Sequence, residues 1–173
     1  MQPPRVLFDS HTIAARVQAL GAQIQADYAG KQLVLVPVLK GSFVFAADLA
    51  RAINLPLSLD FLGLRSYGSR TETSGIVQIT GDLTQPIQDL DVIVVEDIVD
   101  TGLTMDYLME NLSTRKPRSL KLAALLHKPS RTRSMVHVDY LGFTIEDVFV
   151  VGYGLDHAEQ YRNLPYIGVL DEE

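Results

Sequence analysis

Val92-Ile93-Val94-Val95 runs without a break into Glu96-Asp97, and Ile98-Val99-Asp100-Thr101-Gly102-Leu103-Thr104 then leads into a helix-compatible stretch. Four consecutive apolar residues read as a strand covered on both faces, the condition of a parallel sheet flanked by helices. This one segment narrows the chain to an α/β architecture. The two carboxylates emerge at the carboxyl end of the strand, where open α/β sheets place their ligands. In the turn, Asp100, Thr101, Gly102 and Thr104 supply small or polar side chains, a flexible glycine and free backbone N–H groups at a helix start, a nest suited to phosphate. An ordinary strand, turn and N-cap accounts for the Asp and Thr of the turn. It leaves Glu96 and Asp97 unexplained, because adjacent carboxylates repel and need a cation or hydroxyl donors to offset them.

The rest of the chain fits the same architecture. Ser10 can cap a helix with Ile13, Val17, Leu20, Ile24 and Tyr28 at helical spacing and Gly30 as its stop. Leu33 to Val38 reads as a buried strand, and Phe43 to Ile53, after Gly41-Ser42, as its partner helix. Leu57 to Leu64 and Val77 to Gly81 read as strands joined by a long polar connection from Arg65 to Gly75. A helix from about Thr104 to Thr114 follows the acidic strand, and Ser119 to Leu126, Tyr140 to Phe143, Phe149 to Tyr153 and Tyr166 to Leu170 are further strand candidates. Strands alternating with helices predict a mostly parallel central sheet. No repeat, linker or low-complexity tract divides the 173 residues, so residues 1–173 are expected to form one domain.

Composition removes several classes of function. The absence of cysteine excludes disulfides, thiolate zinc sites and a cysteine nucleophile, and fits a reducing cytoplasm. The amino-terminal residues lack a signal-peptide core, and no apolar run approaches the roughly 20 residues needed to cross a bilayer. A formal net charge of −6 opposes non-specific attraction to nucleic acid or an anionic membrane. An anionic substrate must then be met locally, by backbone nests, a few placed cations and a divalent metal. The four histidines, His11, His127, His137 and His157, show no metal-ligand spacing and read as structural or surface residues.

Val-Glu-Asp-Ile-Val-Asp-Thr-Gly, residues 95–102, resembles the phosphoribosyl-pyrophosphate motif of type I phosphoribosyltransferases, in the wording of the hypoxanthine-guanine, purine-salvage branch. The resemblance runs over nearly the whole chain. It implies a single-domain type I phosphoribosyltransferase fold, a mostly parallel sheet flanked by helices with a small hood and a flexible active-site loop. It also implies transfer of 5-phosphoribose from phosphoribosyl pyrophosphate to N9 of a 6-oxopurine with Mg²⁺ as cofactor, in a homodimer or homotetramer.

Residue by residue, the resemblance implies that Glu96 and Asp97 hold the ribose hydroxyls and the first metal, and that Asp100 exchanges a proton with N7 of the purine. Thr101, Gly102, Leu103 and Thr104 cradle the 5-phosphate. Leu103 departs from relatives that carry a polar or basic residue there, a change that backbone binding of phosphate tolerates. Lys40 and Gly41 form a second nest for pyrophosphate, after a Leu39–Lys40 peptide that can be cis, and Arg162 reaches the same group. Ser66 and Tyr67 sit on a loop that closes over the substrates and excludes water. Phe149 stacks on the base, Lys128 donates to its 6-oxo group in preference to a 6-amino group, and the Val150 carbonyl faces its 2-position. Asp156 ligates a second Mg²⁺ through water.

A rival from another class is a regulator that keeps this fold as an effector sensor and binds RNA or DNA. It requires a basic face, which the acidic balance opposes. A nearer rival is a xanthine-preferring enzyme, which shares the 6-oxo group that Lys128 would read.

Overall fold

The computed structural model describes residues 3–69 and 72–170, with side chains for these except across 66–76. In chain order the elements are β1 (Arg5–Phe8), α1 (Ser10–Asp27), β2 (Leu33–Leu39), α2 (Phe43–Ala52), β3 (Leu57–Leu59), β4 (Leu62–Ser69), β5 (Glu72–Gly81), β6 (Asp91–Val99), α3 (Leu103–Ser113), β7 (Ser119–His127), β8 (Tyr140–Thr144), β9 (Val150–Val151) and β10 (Ile167–Val169).

The acidic segment behaves as its composition predicts. β6 lies at the centre of a sheet ordered β5-β4-β2-β6-β7-β8, with parallel partners β2 and β7 on its two sides. Ile93 and Val95 pack with Leu35, Leu20, Ile24, Phe45 and Leu49 beneath α1 and α2. Val92 and Val94 point the other way, into a second cluster with Val36, Met105, Leu108 and Leu112 of α3. Both faces of β6 are therefore covered, which is why its sequence is continuously apolar instead of alternating. Each fully buried aliphatic side chain here contributes roughly 1.5–3 kcal/mol over an exposed one. The carboxyl ends of β2, β6 and β7 consequently lie side by side.

Several elements differ from the sequence expectation. The cap of α1 is Asp9, whose carboxylate accepts from Thr12 N at 2.7 Å, one residue ahead of Ser10. The expected strand Leu57 to Leu64 is two strands, β3 and β4, which take turns along the same edge of β2. The break falls at Asp60, a buried carboxylate that accepts from the N–H groups of Phe61, Thr84 and Gln85. The polar stretch expected to be a connection forms the arms of an antiparallel hairpin, with Arg65 opposite Gln78, Tyr67 opposite Ile76 and Ser69 opposite Glu72. Because β4 is parallel to β2 and pairs at Val38–Leu62 and Leu39–Gly63, these arms extend past the carboxyl end of β2.

A second, antiparallel sheet of order β1-β10-β9 forms a small hood. Phe8 stacks on Phe143 at 4.1 Å between ring centres and fastens the hood to β8 of the main sheet. Among the described residues no helix is long and apolar enough to cross a membrane.

Candidate active site

Four loops converge on the carboxyl edge of the sheet. The first, Lys40-Gly41-Ser42, follows β2 through a cis Leu39–Lys40 peptide. Ser42 is fully buried and donates to Val38 O at 2.7 Å, so its hydroxyl serves the turn. Gly41 faces β6 so closely that a Cβ there would stand 1.7 Å from Asp97 Oδ2. Lys40 reaches the other way and pairs with Glu159 at 3.2 Å.

The second loop leaves β6. Glu96 is 8% exposed, with Oε1 accepting from Asp97 N at 2.9 Å. Asp97 Oδ1 accepts from Ile98 N at 2.7 Å. Burial, then the negative charge and hydrogen bond of Asp97, push the Glu96 carboxyl well above the usual glutamate range. Burial also raises Asp97, partly offset by its own hydrogen bonds and by the positive charge of Arg162. Glu96, buried, and Asp97, half-buried, offer hard oxygen donors side by side, and Mg²⁺ characteristically takes one or two carboxylates together with water and substrate phosphate. The pair fits such an ion. Among the described residues no three His, Cys, Asp or Glu side chains are grouped so as to hold a metal ion by themselves.

Beyond them the backbone turns sharply. Gly102 adopts φ +81° at the start of α3, and an added Cβ would meet Ser134 Oγ at 2.0 Å. A side chain is excluded there by conformation and by space alike. The N–H groups of the first turn, Leu103 to Met105, have no acceptor within the helix and give the nest its donors. Asp100 precedes this turn, half-exposed, with Oδ1 accepting from Arg131 Nε at 2.7 Å.

The third loop continues β7. Lys128 is 7% exposed and its Nζ lies 3.4 Å from Asp147 Oδ1. Pro129–Arg131 forms one 3₁₀ turn, after which Arg133 N donates to Thr101 O at 2.9 Å. Thr101, Ser130, Arg131, Arg133 and Asp147 line a cleft of about 280 Å³.

The fourth wall comes from the hood. Phe149 is 45% exposed, unusual for phenylalanine, and its flat face is steadied from the edge by His157, ring centres 5.4 Å apart and planes at 88°. His157 therefore belongs to the site as a support. Leu170 N donates to Phe149 O, which makes Val150 and Val169 a non-hydrogen-bonded pair and directs the Val150 carbonyl away from β10. Past Gly154, Arg162 Nη1 donates to Gly154 O at 2.8 Å and Nη2 pairs with Asp156 at 3.1 Å and Glu159 at 3.5 Å. Gly154, at φ +100°, rests against the Gly41 carbonyl. Ala158, Glu159 and Tyr161 all have φ between 50° and 74°, a left-handed cluster that non-glycine residues hold only when their surroundings fix it.

The structure thus brings Lys40, Gly41, Glu96, Asp97, Asp156 and Arg162 to one side of the edge and Asp100 to Thr104 to the middle. Lys128 follows β7 beside Asp147, and Phe149 and Val150 stand on the hood. The side chains of Ser66 and Tyr67 lie outside the described residues. Sequence reasoning missed Arg131, Arg133, Asp147 and Glu159. The signal was available for the first two, since Lys128-Pro129-Ser130-Arg131-Thr132-Arg133-Ser134 is a basic, polar run directly after a buried parallel strand.

Comparison with known proteins agrees with this geometry. The phosphoribosyl transferase domain model matches residues 6–158. The hypoxanthine-guanine phosphoribosyltransferase of Dictyostelium discoideum is 51% identical over 172 residues, covering 97% of this chain and 96% of the relative. That of Mycobacterium avium is 49% identical, covering 96% of this chain and 85% of the relative. A crystal structure of a hypoxanthine-guanine phosphoribosyltransferase from Bacillus anthracis superposes with a TM-score of 0.94 at 44% identity, covering 98% of this chain and all of that one.

Proposed function

The chain belongs to the phosphoribosyl transferase family, and from that membership we propose a purine-salvage enzyme of the cytoplasm. It transfers 5-phosphoribose from phosphoribosyl pyrophosphate to N9 of hypoxanthine or guanine, giving IMP or GMP and pyrophosphate. Residues 1–173 act as one catalytic domain within a homodimer or homotetramer. The observation that carries this reading is that the carboxyl edge of one sheet holds adjacent carboxylates, Glu96 buried and Asp97 half-buried, directly before a glycine turn that opens a helix.

Glu96 and Asp97 receive the ribose hydroxyls, and their negative field favours positive charge developing at C1 as the bond to pyrophosphate lengthens. The same pair holds Mg²⁺, which when bound neutralises the leaving group. Asp156, oriented by Arg162, would hold a second Mg²⁺. The nest from Thr101 to Thr104 fixes the 5-phosphate, while Lys40, Gly41 and Arg162 take the pyrophosphate. Phe149 stacks on the base. Lys128 donates to its 6-oxo oxygen, the Val150 carbonyl accepts at the 2-position, and Asp100 exchanges a proton with N7. The hairpin arms carrying Ser66 and Tyr67 extend past β2, the position from which they would close over the substrates and exclude water.

The test is pyrophosphate release from phosphoribosyl pyrophosphate with Mg²⁺ across hypoxanthine, guanine, xanthine, adenine and uracil, each with a metal-free control. Metal-dependent release with hypoxanthine or guanine is expected. Release with xanthine alone moves the assignment to that base, and silence with all five from folded protein overturns the reading. Sedimentation of the purified protein decides between dimer and tetramer.

A further inference from the structure

The segment after β7 holds the phosphate turn at three successive residues. Arg131 Nε donates to Asp100 Oδ1 at 2.7 Å, the Thr132 hydroxyl lies 3.2 Å from Asp100 O, and Arg133 N donates to Thr101 O at 2.9 Å. His127 faces the same hydroxyl, with Nε2 2.9 Å from Thr132 Oγ1. The second arm of the Arg131 guanidinium reaches Asp147 Oδ2 at 3.5 Å, and the other oxygen of Asp147 lies 3.4 Å from Lys128 Nζ. Asp100, Arg131, Asp147 and Lys128 therefore form a row of alternating charge. It runs from the carboxylate that handles the proton to the ammonium that reads the base. A planar fork with spaced donors suits two carboxylates set apart in this way, where a lysine offers one point of charge.

Resting on the role assigned to Asp100 above, we propose that Arg131 is a positioning residue for the transfer reaction, holding one oxygen of Asp100 so that the other meets N7 of the purine. Without it the Asp100 side chain samples other rotamers, and only part of that population is aligned for proton exchange. Binding of phosphoribosyl pyrophosphate, which uses the backbone of the turn, is left in place.

The experiment is a double-mutant cycle on the full chain, read by steady-state kinetics with hypoxanthine, phosphoribosyl pyrophosphate and Mg²⁺. Arg131→Ala is expected to lower kcat by about 10- to 100-fold with the KM for phosphoribosyl pyrophosphate within about twofold. Arg131→Lys is expected to restore part of the loss. In an Asp100→Asn background, Arg131→Ala should change kcat by less than about twofold, because there is no proton-handling oxygen left to aim. An undiminished loss in that background, or an increase in KM with kcat unchanged, overturns the role of Arg131. Wild-type silence overturns the reaction itself, so the two failures are distinguishable. Thermal unfolding checks each variant, and where the alanine variant fails to fold the lysine variant serves the same cycle.

Discussion

The Cα of Gly41 lies against the carboxylate of Asp97, so close that a methyl group at 41 would stand 1.7 Å from Oδ2. The loop after β2 and the acidic end of β6 are thus fitted to each other at van der Waals contact. Gly41→Ala is expected to displace the Asp97 carboxylate and lower kcat/KM by about 10²-fold, the usual cost of a misplacement near 1 Å. Kinetics with phosphoribosyl pyrophosphate as the varied substrate checks this, with thermal unfolding showing whether the fold persists.

Glu96 is buried and Asp97 half-buried beside it, both carboxyl groups pushed up, so ionising the pair opposes folding when no cation is present. Glu96→Gln keeps an acceptor for Asp97 N and removes one charge. In chelator at neutral pH the variant should be more stable by about 1 kcal/mol, raising Tm by about 2–4 °C. Its turnover should fall at least about 10²-fold. Calorimetry and initial rates on the same preparation test both halves.

Glu159 touches the two cations assigned to pyrophosphate, Lys40 at 3.2 Å and Arg162 at 3.5 Å. If those cations bind pyrophosphate as proposed, its carboxylate competes with the substrate for them. Glu159→Gln should lower the KM for phosphoribosyl pyrophosphate and the inhibition constant of pyrophosphate by about two- to fivefold, a small effect because the pair with Lys40 is exposed. The difference should shrink as salt is raised.

Burial works against the charged form of Asp60, but N–H donors from Phe61, Gln85 and Thr84 outweigh it and hold the carboxyl below the ordinary aspartate range. A carboxyl depressed in the folded state adds stability above its unfolded value, about 3.9, and that contribution is lost as pH falls through the folded value. Asp60→Asn should therefore lose about 1–3 kcal/mol at neutral pH and show a flatter decline of Tm below about pH 4. A Tm series from pH 7 to 2.5 on both proteins measures the slope.

Where one covered strand sets its own pattern, the sequence was readable. β2 and β6 declared themselves by apolar runs and β7 by the stretch Leu122 to Leu126, and the residues after β2 and β6 were placed at the sheet edge by that fact alone. β1 escaped because Arg5–Phe8 is short and half-exposed, and it becomes a strand only by pairing with β10. The Arg65 to Gly75 stretch looked like a connection because hairpin arms standing off the sheet need no apolar face. Asp60 was taken as mid-strand because its donors at 84 and 85 lie more than 20 residues away. Arg131 and Glu159 escaped for a related reason: Asp100 lies 31 residues from the first and Lys40 119 from the second, and ion pairs leave no local periodicity. Lys128 and Phe149 were identified through family resemblance, since neither stands out by pattern.

The hood joins Arg5 to Val169. During synthesis at the ribosome, β2, β6 and the turn into α3 are complete long before β9 and β10 emerge, and loop closure between β1 and β10 spans most of the chain. The loops after β2, β6 and β7 are therefore assembled first and the hood residues Phe149 to Arg162 last. A nascent chain halted after β8 carries Glu96, Asp97 and the turn into α3 but lacks Phe149, Asp156 and Arg162, so premature termination leaves the edge of the sheet without the wall that the hood supplies.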